Sequence, residues 1–362
     1  MRVLIVFSLG VLLLVRAGVT IADEPSMATE PVQFEANGRT LSGLYSAPVG
    51  QVAQALVIIV HGYGKTNVLK ANAYYDLRTR LADQGIASFV WDKPGCGDSE
   101  GEFDANQPVA SSAQEVVAAA AFLRVEQLPG TGQIGLWGIS RAGWIAPLAL
   151  AKDPALAFWI SVSGVDDKES FGYLLASNWR IEGYDQSAID RLLAQWMRGN
   201  AIAMGAGSYN DYVAATTDYH ADPFVQFVSG RDGMISEEVF ESWRAAWKAM
   251  SPSVDPKTGL AIYVEDFPQL LSGLNVPVLA MFGEKDTSVD WRAARALYQK
   301  TIGANPKANL TIRTFPDGNH NLHVSETGGF REMMEVLNDP QRVPGYYGAM
   351  FGWLKDVTRS EK

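Results

Sequence analysis

The sequence predicts an α/β fold in which a mostly parallel sheet is covered by helices on both faces and interrupted once by a helical insertion. Three observations predict it. Short apolar runs of strand character alternate with helical patterns along most of the chain. The alternation stops between about residues 165 and 272, where only helical spacing is found. A serine flanked by glycines, Ser140, sits where one apolar run gives way to a helix.

Residues 31–47 alternate in polarity and end in turn residues, which fits antiparallel strands at a sheet edge. Leu56 to Val60 is the first buried-strand run and stops at His61-Gly62. A helix is expected over Ala73 to Asp83, with Asn72 as its cap and Tyr74, Leu77 and Leu81 on one face. Ile86 to Val90 is the next strand, and Val116 to Leu123 lies in an alanine-rich helix. Strands follow at Ile134 to Trp137, Phe158 to Val162, Val278 to Phe282 and Leu310 to Phe315. Trp144 to Ala151 continues a helix that begins just after Ser140. Strand, helix, strand in repetition implies parallel pairing with both faces covered.

Inside 165–272, Ile189, Leu192, Leu193, Trp196 and Met197 keep helical spacing behind Ser187 as cap, and Val239, Phe240, Trp243 and Trp247 do so after Ser236. The expected organisation is therefore a core domain from 23–164 and 273–362, with a helical cap over 165–272. Trp179, Trp196, Trp243 and Trp247 are expected to be cap core, with one or two lining a pocket.

Residues 1–22 read as a secretory leader. Arg2 precedes an apolar stretch from Val3 to Val15, and Thr20-Ile21-Ala22 places small side chains before Asp23 as a cleavage site requires. The run is short for a membrane span and Arg16 follows it, so export to the periplasm or the exterior is expected without stable membrane insertion. Cys96 is the single cysteine, so no internal disulfide can form and a packed core must hold the chain together. Hydrophobic residues make up 47% and charged residues 19%, which is globular composition; the net charge of −10 disfavours nucleic acid as a partner.

The chemistry centres on Gly138-Ile139-Ser140-Arg141-Ala142-Gly143. A sharp strand-to-helix turn lifts a serine hydroxyl clear of the sheet, and a helix N-terminus favours developing negative charge. The common pattern is G-x-S-x-G; here Ala142 holds the last position and Gly143 follows it. A serine needs a base. Of the four histidines, His320 lies in Pro316-Asp317-Gly318-Asn319-His320-Asn321, just after the last strand. His323 is its competitor, with a surface or supporting role as the alternative; His61 reads as a support for its loop, and His220 falls in the cap. The base needs a carboxylate to orient it. Asp286, in Gly283-Glu284-Lys285-Asp286 at the end of a strand, is preferred over Asp290 and Glu284. The order Ser140, Asp286, His320 matches a hydrolase arrangement. Backbone donors for an oxyanion are expected from Arg141 and from Tyr63, with Gly64 second.

At these positions the chain resembles a known family. Val60-His61-Gly62-Tyr63-Gly64, Trp91-Asp92-Lys93-Pro94-Gly95-Cys96-Gly97-Asp98-Ser99-Glu100-Gly101 and Gly138 to Trp144 are similar to segments of bacterial α/β-hydrolases. The group meant is the one related to prolyl-oligopeptidase-type serine peptidases and to dienelactone and acyl-thioester hydrolases. The resemblance spans residues 31–165 and 273–355, and the cap is outside it. It implies the α/β-hydrolase fold and cofactor-free hydrolysis of an ester, a thioester or occasionally a peptide.

Other motifs fail. A phosphate-binding loop ending at Gly64-Lys65-Thr66 would need glycine at Ile59, and a dinucleotide fingerprint at Gly95-Cys96-Gly97 would need one at Glu100. His320 and His323 lack the glutamate and third ligand of a zinc helix. No metal and no nucleotide cofactor is expected. The expected function is hydrolysis of a small-molecule ester through an acyl-serine. A peptidase is the alternative enzyme and a ligand-binding hydrolase fold the alternative of another class, with oligomeric state open.

Overall fold

The computed structural model describes residues 26–359, apart from 106, 169, 206, 251–252, 255–260 and 337–339. The leader expected over residues 1–22 lies outside them. The strands are β1 (Met27–Ala36), β2 (Arg39–Pro48), β3 (Ala55–Val60), β4 (Ile86–Trp91), β5 (Ile134–Ile139), β6 (Leu156–Val162), β7 (Ser253–Val254), β8 (Ala261–Ile262), β9 (Val278–Gly283) and β10 (Leu310–Phe315). The α-helices are α1 (Tyr75–Asp83), α2 (Val109–Val125), α3 (Ala142–Lys152), α4 (Phe171–Ile181), α5 (Gln186–Met204), α6 (Tyr209–Ala221), α7 (Pro223–Ser229), α8 (Glu237–Met250), α9 (Phe267–Ser272), α10 (Trp291–Lys300), α11 (Phe330–Val336) and α12 (Tyr346–Thr358).

Eight strands form one sheet in the order β1-β2-β4-β3-β5-β6-β9-β10. From β4 to β10 every pairing is parallel, whereas β1 and β2 join antiparallel at one edge, as the alternating segment predicted. The central strands β3, β4 and β9 are buried at every position, which is why they read as continuous apolar runs and not as alternating ones. One face of the sheet packs with α2, α3 and α10 around Leu123, Ile145, Trp159 and Tyr298. The other packs with α1 and α12 around Leu77, Trp137, Phe158 and Leu354.

Between β6 and β9 the chain leaves the sheet. Helices α4 to α7 close a cluster of their own around Leu175, Trp179, Ile189 and Phe224. A smaller one gathers Ala203, Tyr212 and Phe240. The end of this insertion returns to the core: Val264, Phe267 and Leu271 are buried in the same cluster as α3.

Two expected caps are corrected. The first helix begins at Tyr75, because Asn72 and Tyr74 both take left-handed backbone (φ 49° and 56°) and Asn72 accepts a hydrogen bond from the Arg78 guanidinium. In α5 the capping oxygen is that of Asp185, which accepts from Ala188 N at 2.8 Å; Ser187 donates its hydroxyl to the same carboxylate. Ser236 does cap α8, accepting from Val239 N at 3.3 Å.

Candidate active site

β5 ends at Ile139, and Ser140 takes φ 57° before α3 starts at Ala142. A non-glycine residue in the left-handed region costs on the order of 1–3 kcal/mol and persists only where its surroundings fix it. Here they do. Ser140 N donates to Val162 O on the adjacent strand at 3.0 Å, and Gly143 N returns to Ser140 O at 2.7 Å. The departure from G-x-S-x-G also has a spatial reason. The Ala142 methyl fills the space beside Gly138, where a Cβ on Gly138 would lie 2.7 Å from it. Gly143 is the residue that must stay bare, since a Cβ there would meet Val165 N at 2.8 Å.

Asp286 follows β9 and is fully buried at its side chain. Its Oδ1 accepts from Ser288 N at 2.8 Å and Val289 N at 3.0 Å. Its Oδ2 meets His320 Nδ1 at 2.8 Å. Two main-chain bonds join the loops after β9 and β10: Glu284 N to Phe315 O at 3.0 Å and Lys285 N to Gly318 O at 2.9 Å. Asp290 is occupied elsewhere, capping α10 through Arg292 N and Ala293 N at 3.1 Å each. Glu284 uses its backbone, accepting from Trp291 Nε1 at 3.0 Å.

Ser140 and His320 line one cavity of about 830 Å³, together with Gly62, Tyr63 and Arg141. The loop after β3 presses against the serine turn: a Cβ on Gly62 would stand 3.2 Å from Ile139 O and 3.5 Å from Ser140 Cβ. Arg141 heads α3, where N–H groups have no carbonyl within the helix to bond. Its guanidinium bonds the Gln107 carbonyl and Ser112 Oγ and lies 5.4 Å from the centre of the Tyr63 ring.

The other histidines are held neutral. Burial and Lys93 push His61 down to about 3, with its Nε2 on the Trp91 carbonyl and its Nδ1 3.4 Å from the Tyr74 hydroxyl, as expected of a residue supporting its loop. Burial, aided by Arg342, pushes His323 down to about 4. His323 is 8% exposed and lines the cavity, its main-chain N–H donating to Asn319 Oδ1 at 3.1 Å, so it is not a surface residue. Burial also lowers His220 to about 4, and its Nε2 pairs with the Tyr212 hydroxyl at 2.7 Å.

Three supports were not read from the sequence. Lys93 Nζ donates to Gly62 O at 2.6 Å and to Gly64 O at 2.8 Å, and burial, with Arg141 nearby, lowers its pKa to about 8. Asn319 is fully buried and its Oδ1 accepts from Asn321 N at 2.9 Å as well as from His323 N, which shapes the turn carrying His320. Helix α4 is stitched to the acid loop. Tyr173 donates to Asp286 O at 3.2 Å, Asn178 Nδ2 reaches Thr287 Oγ1 at 3.4 Å, and Asn178 Oδ1 accepts from Phe330 N at 2.6 Å. Asn319 has a sequence signal, an Asx residue in a glycine-led turn, and Lys93 stands in a segment of the family resemblance that does not mark its role.

The far wall of the cavity comes from the insertion. Trp196 and Trp243 line it, while Trp179 is sealed in the α4–α7 cluster with its Nε1 on Asp222 Oδ1 at 2.9 Å. The side chain of Trp247 lies outside the described residues.

Known proteins share this architecture. The esterase Pf2001 of Pyrococcus furiosus is 13% identical and superposes over 92% of this chain and 94% of its own with a TM-score of 0.51. The acylaminoacyl peptidase of Pyrococcus horikoshii is 14% identical over 93% of this chain and 43% of its own, with a TM-score of 0.50. At such identities the likeness is one of fold. In sequence, the quorum-quenching protein AidA of Acinetobacter baumannii (strain MDR-ZJ06) is 29% identical over 130 residues, 36% of this chain and 42% of that protein, so the match spans less than half of the relative. Residues 57–332 match the model of the alpha/beta hydrolase family. That match runs from β3 into α11 and takes in more than half of the chain, so the protein belongs to the alpha/beta hydrolase family.

Proposed function

We propose that the protein is a serine hydrolase that cleaves a carboxylic ester or thioester through an acyl-serine on Ser140. One observation carries this reading: a left-handed Ser140 at a strand-to-helix turn opens into the same cavity as His320, whose Nδ1 is bonded to buried Asp286.

The roles follow from chemistry. With Nδ1 engaged by Asp286, the other ring nitrogen of His320 is the one left to take the serine proton. Ser140 Oγ attacks the carbonyl carbon as that proton moves to His320, and the carbonyl oxygen gains the charge. The main-chain N–H groups of Arg141 and Tyr63 are the donors for that oxygen. His320 passes its proton to the leaving alcohol, then draws one from water as water attacks the acyl-serine. Asp286 holds the imidazole orientation and balances its positive charge throughout.

Residues 1–22 would direct the chain out of the cytoplasm before it acts. Among the described residues no helix is long and apolar enough to cross a membrane.

Labelling with a fluorophosphonate, followed by p-nitrophenyl esters of rising chain length beside an aminoacyl anilide, tests the reading. Labelling at Ser140 with ester turnover is expected. An unlabelled, inactive protein would make it a binding fold, and turnover of the anilide above the esters would make it a peptidase.

A further inference from the structure

One side chain in the cavity wall does not suit a purely apolar occupant. Asn200, on α5, is 2% exposed and lines the cavity. Its Nδ2 is buried without a hydrogen-bond partner. Native proteins pair nearly all such groups, so an unpaired one on a side chain that lines a cavity calls for a reason.

The neighbouring polar atoms on α6 are already engaged. Thr216 Oγ1 donates to Tyr212 O at 2.7 Å, and the Tyr212 hydroxyl is paired with His220 Nε2 at 2.7 Å. His220 beside them is also uncharged, since burial keeps it neutral down to about pH 4. Among the described residues lining the cavity there is no Asp, Glu or Lys; its charged side chains are Arg141 and Arg342, which bond the Gln107 and Asn321 carbonyls, and Arg231. Around this spot the wall is aromatic, with Trp196, Tyr212 and Trp243. A cavity of about 830 Å³ has room for an extended chain as well as the reacting carbonyl.

We infer that Asn200 forms a polar subsite on the cap side of the cavity, which hydrogen-bonds an uncharged amide or hydroxyl group carried on an apolar chain remote from the scissile bond. A carboxamide both donates and accepts, so it fits a partner that does the same. This deepens the hydrolase reading: the reaction at Ser140 rests on it, while the binding at Asn200 does not.

The test compares p-nitrophenyl octanoate with p-nitrophenyl esters of equal chain length bearing an internal secondary amide or a terminal hydroxyl. In the wild type at least one polar ester should exceed the octanoate about tenfold in kcat/KM, because apolar chains leave the amide unpaired. Asn200→Leu should abolish that preference, lowering the polar ester alone. Its Tm should hold or rise, since an unpaired buried amide is replaced by a side chain of similar size. If Asn200→Leu does not fold, Asn200→Ala is read in its place with the same expected ratios. Methyl ketones of the same chains, titrated by tryptophan fluorescence, give a second readout that needs no turnover. Tighter binding of the amide or hydroxyl ketone, lost in the variant, supports the subsite even if no ester is cleaved, in which case only the hydrolase reading falls. Equal preference in the wild type, a polar preference that survives in the variant, or a stronger preference for a chain ending in carboxylate would each overturn the inference.

Discussion

On the sheet side of the cavity, Ser140, Asp286 and His320 stand at or just beyond the ends of β5, β9 and β10, in turns fixed by main-chain hydrogen bonds. On the cap side, the wall is made of side chains from α5, α6 and α8, such as Trp196, Tyr212 and Trp243, held mainly by aromatic packing, Trp196 on Phe171 and Tyr212 on Trp243. The first arrangement fixes the positions of individual atoms, which proton transfer requires to about 0.5 Å. The second constrains a shape. Substitutions on the two sides should therefore fail in different ways: chemistry on one, substrate choice on the other.

The largest expected effects are on the sheet side. Ser140→Ala should reduce kcat/KM by about a thousandfold or more, and Asp286→Asn by about ten-thousandfold if the imidazole loses its orientation as in serine-protease triads. Both should keep the wild-type circular dichroism and Tm within a few degrees. If instead Asp290→Asn were inactive and Asp286→Asn active, the carboxylate assignment would be wrong, though Asp290 is already committed to α10.

A smaller loss is expected from Lys93→Met. The ammonium holds the Gly62 and Gly64 carbonyls, and with it the Tyr63 N–H, so its removal should lower kcat by about tenfold to a hundredfold while KM changes little. A rise in KM at constant kcat would place Lys93 in substrate binding instead.

On the cap side, Trp243→Ala should move the preferred acyl length towards longer chains by two or more carbons, while kcat for the best substrate stays within about fivefold. A uniform loss across all chain lengths would erase the distinction between the two sides.

The smallest effect concerns pH and stability, and it cuts across both sides. His61, His220 and His323 bind their proton only near pH 3 to 4 in the folded chain, against 6.5 when unfolded. Below pH 6.5 the unfolded state takes up protons that the native state refuses, so stability is full above that value and falls as pH drops towards 4. Fully buried His61 would account for about 1.4 kcal/mol per pH unit in that window. Burial raises Asp166 to about 6, which opposes this between 3.8 and 6, and raises Glu115 as well, but two carboxyls face three histidines. The urea midpoint should be lower at pH 5 than at pH 7.5, and His323→Gln should flatten the slope. A midpoint that rises on acidification would refute the assignment of these histidines as buried and neutral.

The difference between the two sides also sets what could be read from the sequence. The serine turn, the acid loop and the histidine loop are each local, with glycines and a strand end within a few residues, so the spacing points to Ser140, Asp286 and His320. His61 was legible for the same reason. The helices of the insertion were legible as periodicities, and Ser236 as a cap. The turn before α1 was not, because Asn72 answers to Arg78 and Tyr74 to His61, partners set by tertiary packing. The β1–β2 hairpin has a sharp local signal: Asn37-Gly38, both at positive φ, is a two-residue turn between alternating segments. The roles of Lys93 and Tyr173 carried no local mark, since each bonds residues far away in the chain, and Asn200 bears a side-chain N–H that nothing among the described residues accepts.

The bonds from α4 to the acid loop have a mechanical consequence. Tyr173 and Asn178 tie the start of the insertion to Asp286, Thr287 and Phe330. A cap swinging away as one body would have to tear those bonds and disturb the carboxylate behind His320 each time a substrate entered. Admission that spares the acid must leave α4 seated, and with it the helices α5 to α7 that share its core, so that opening falls to α8. A covalent cross-link from α4 to the acid loop would then be silent in turnover, whereas one from α8 to the loop around Tyr63 would trap whatever lay inside.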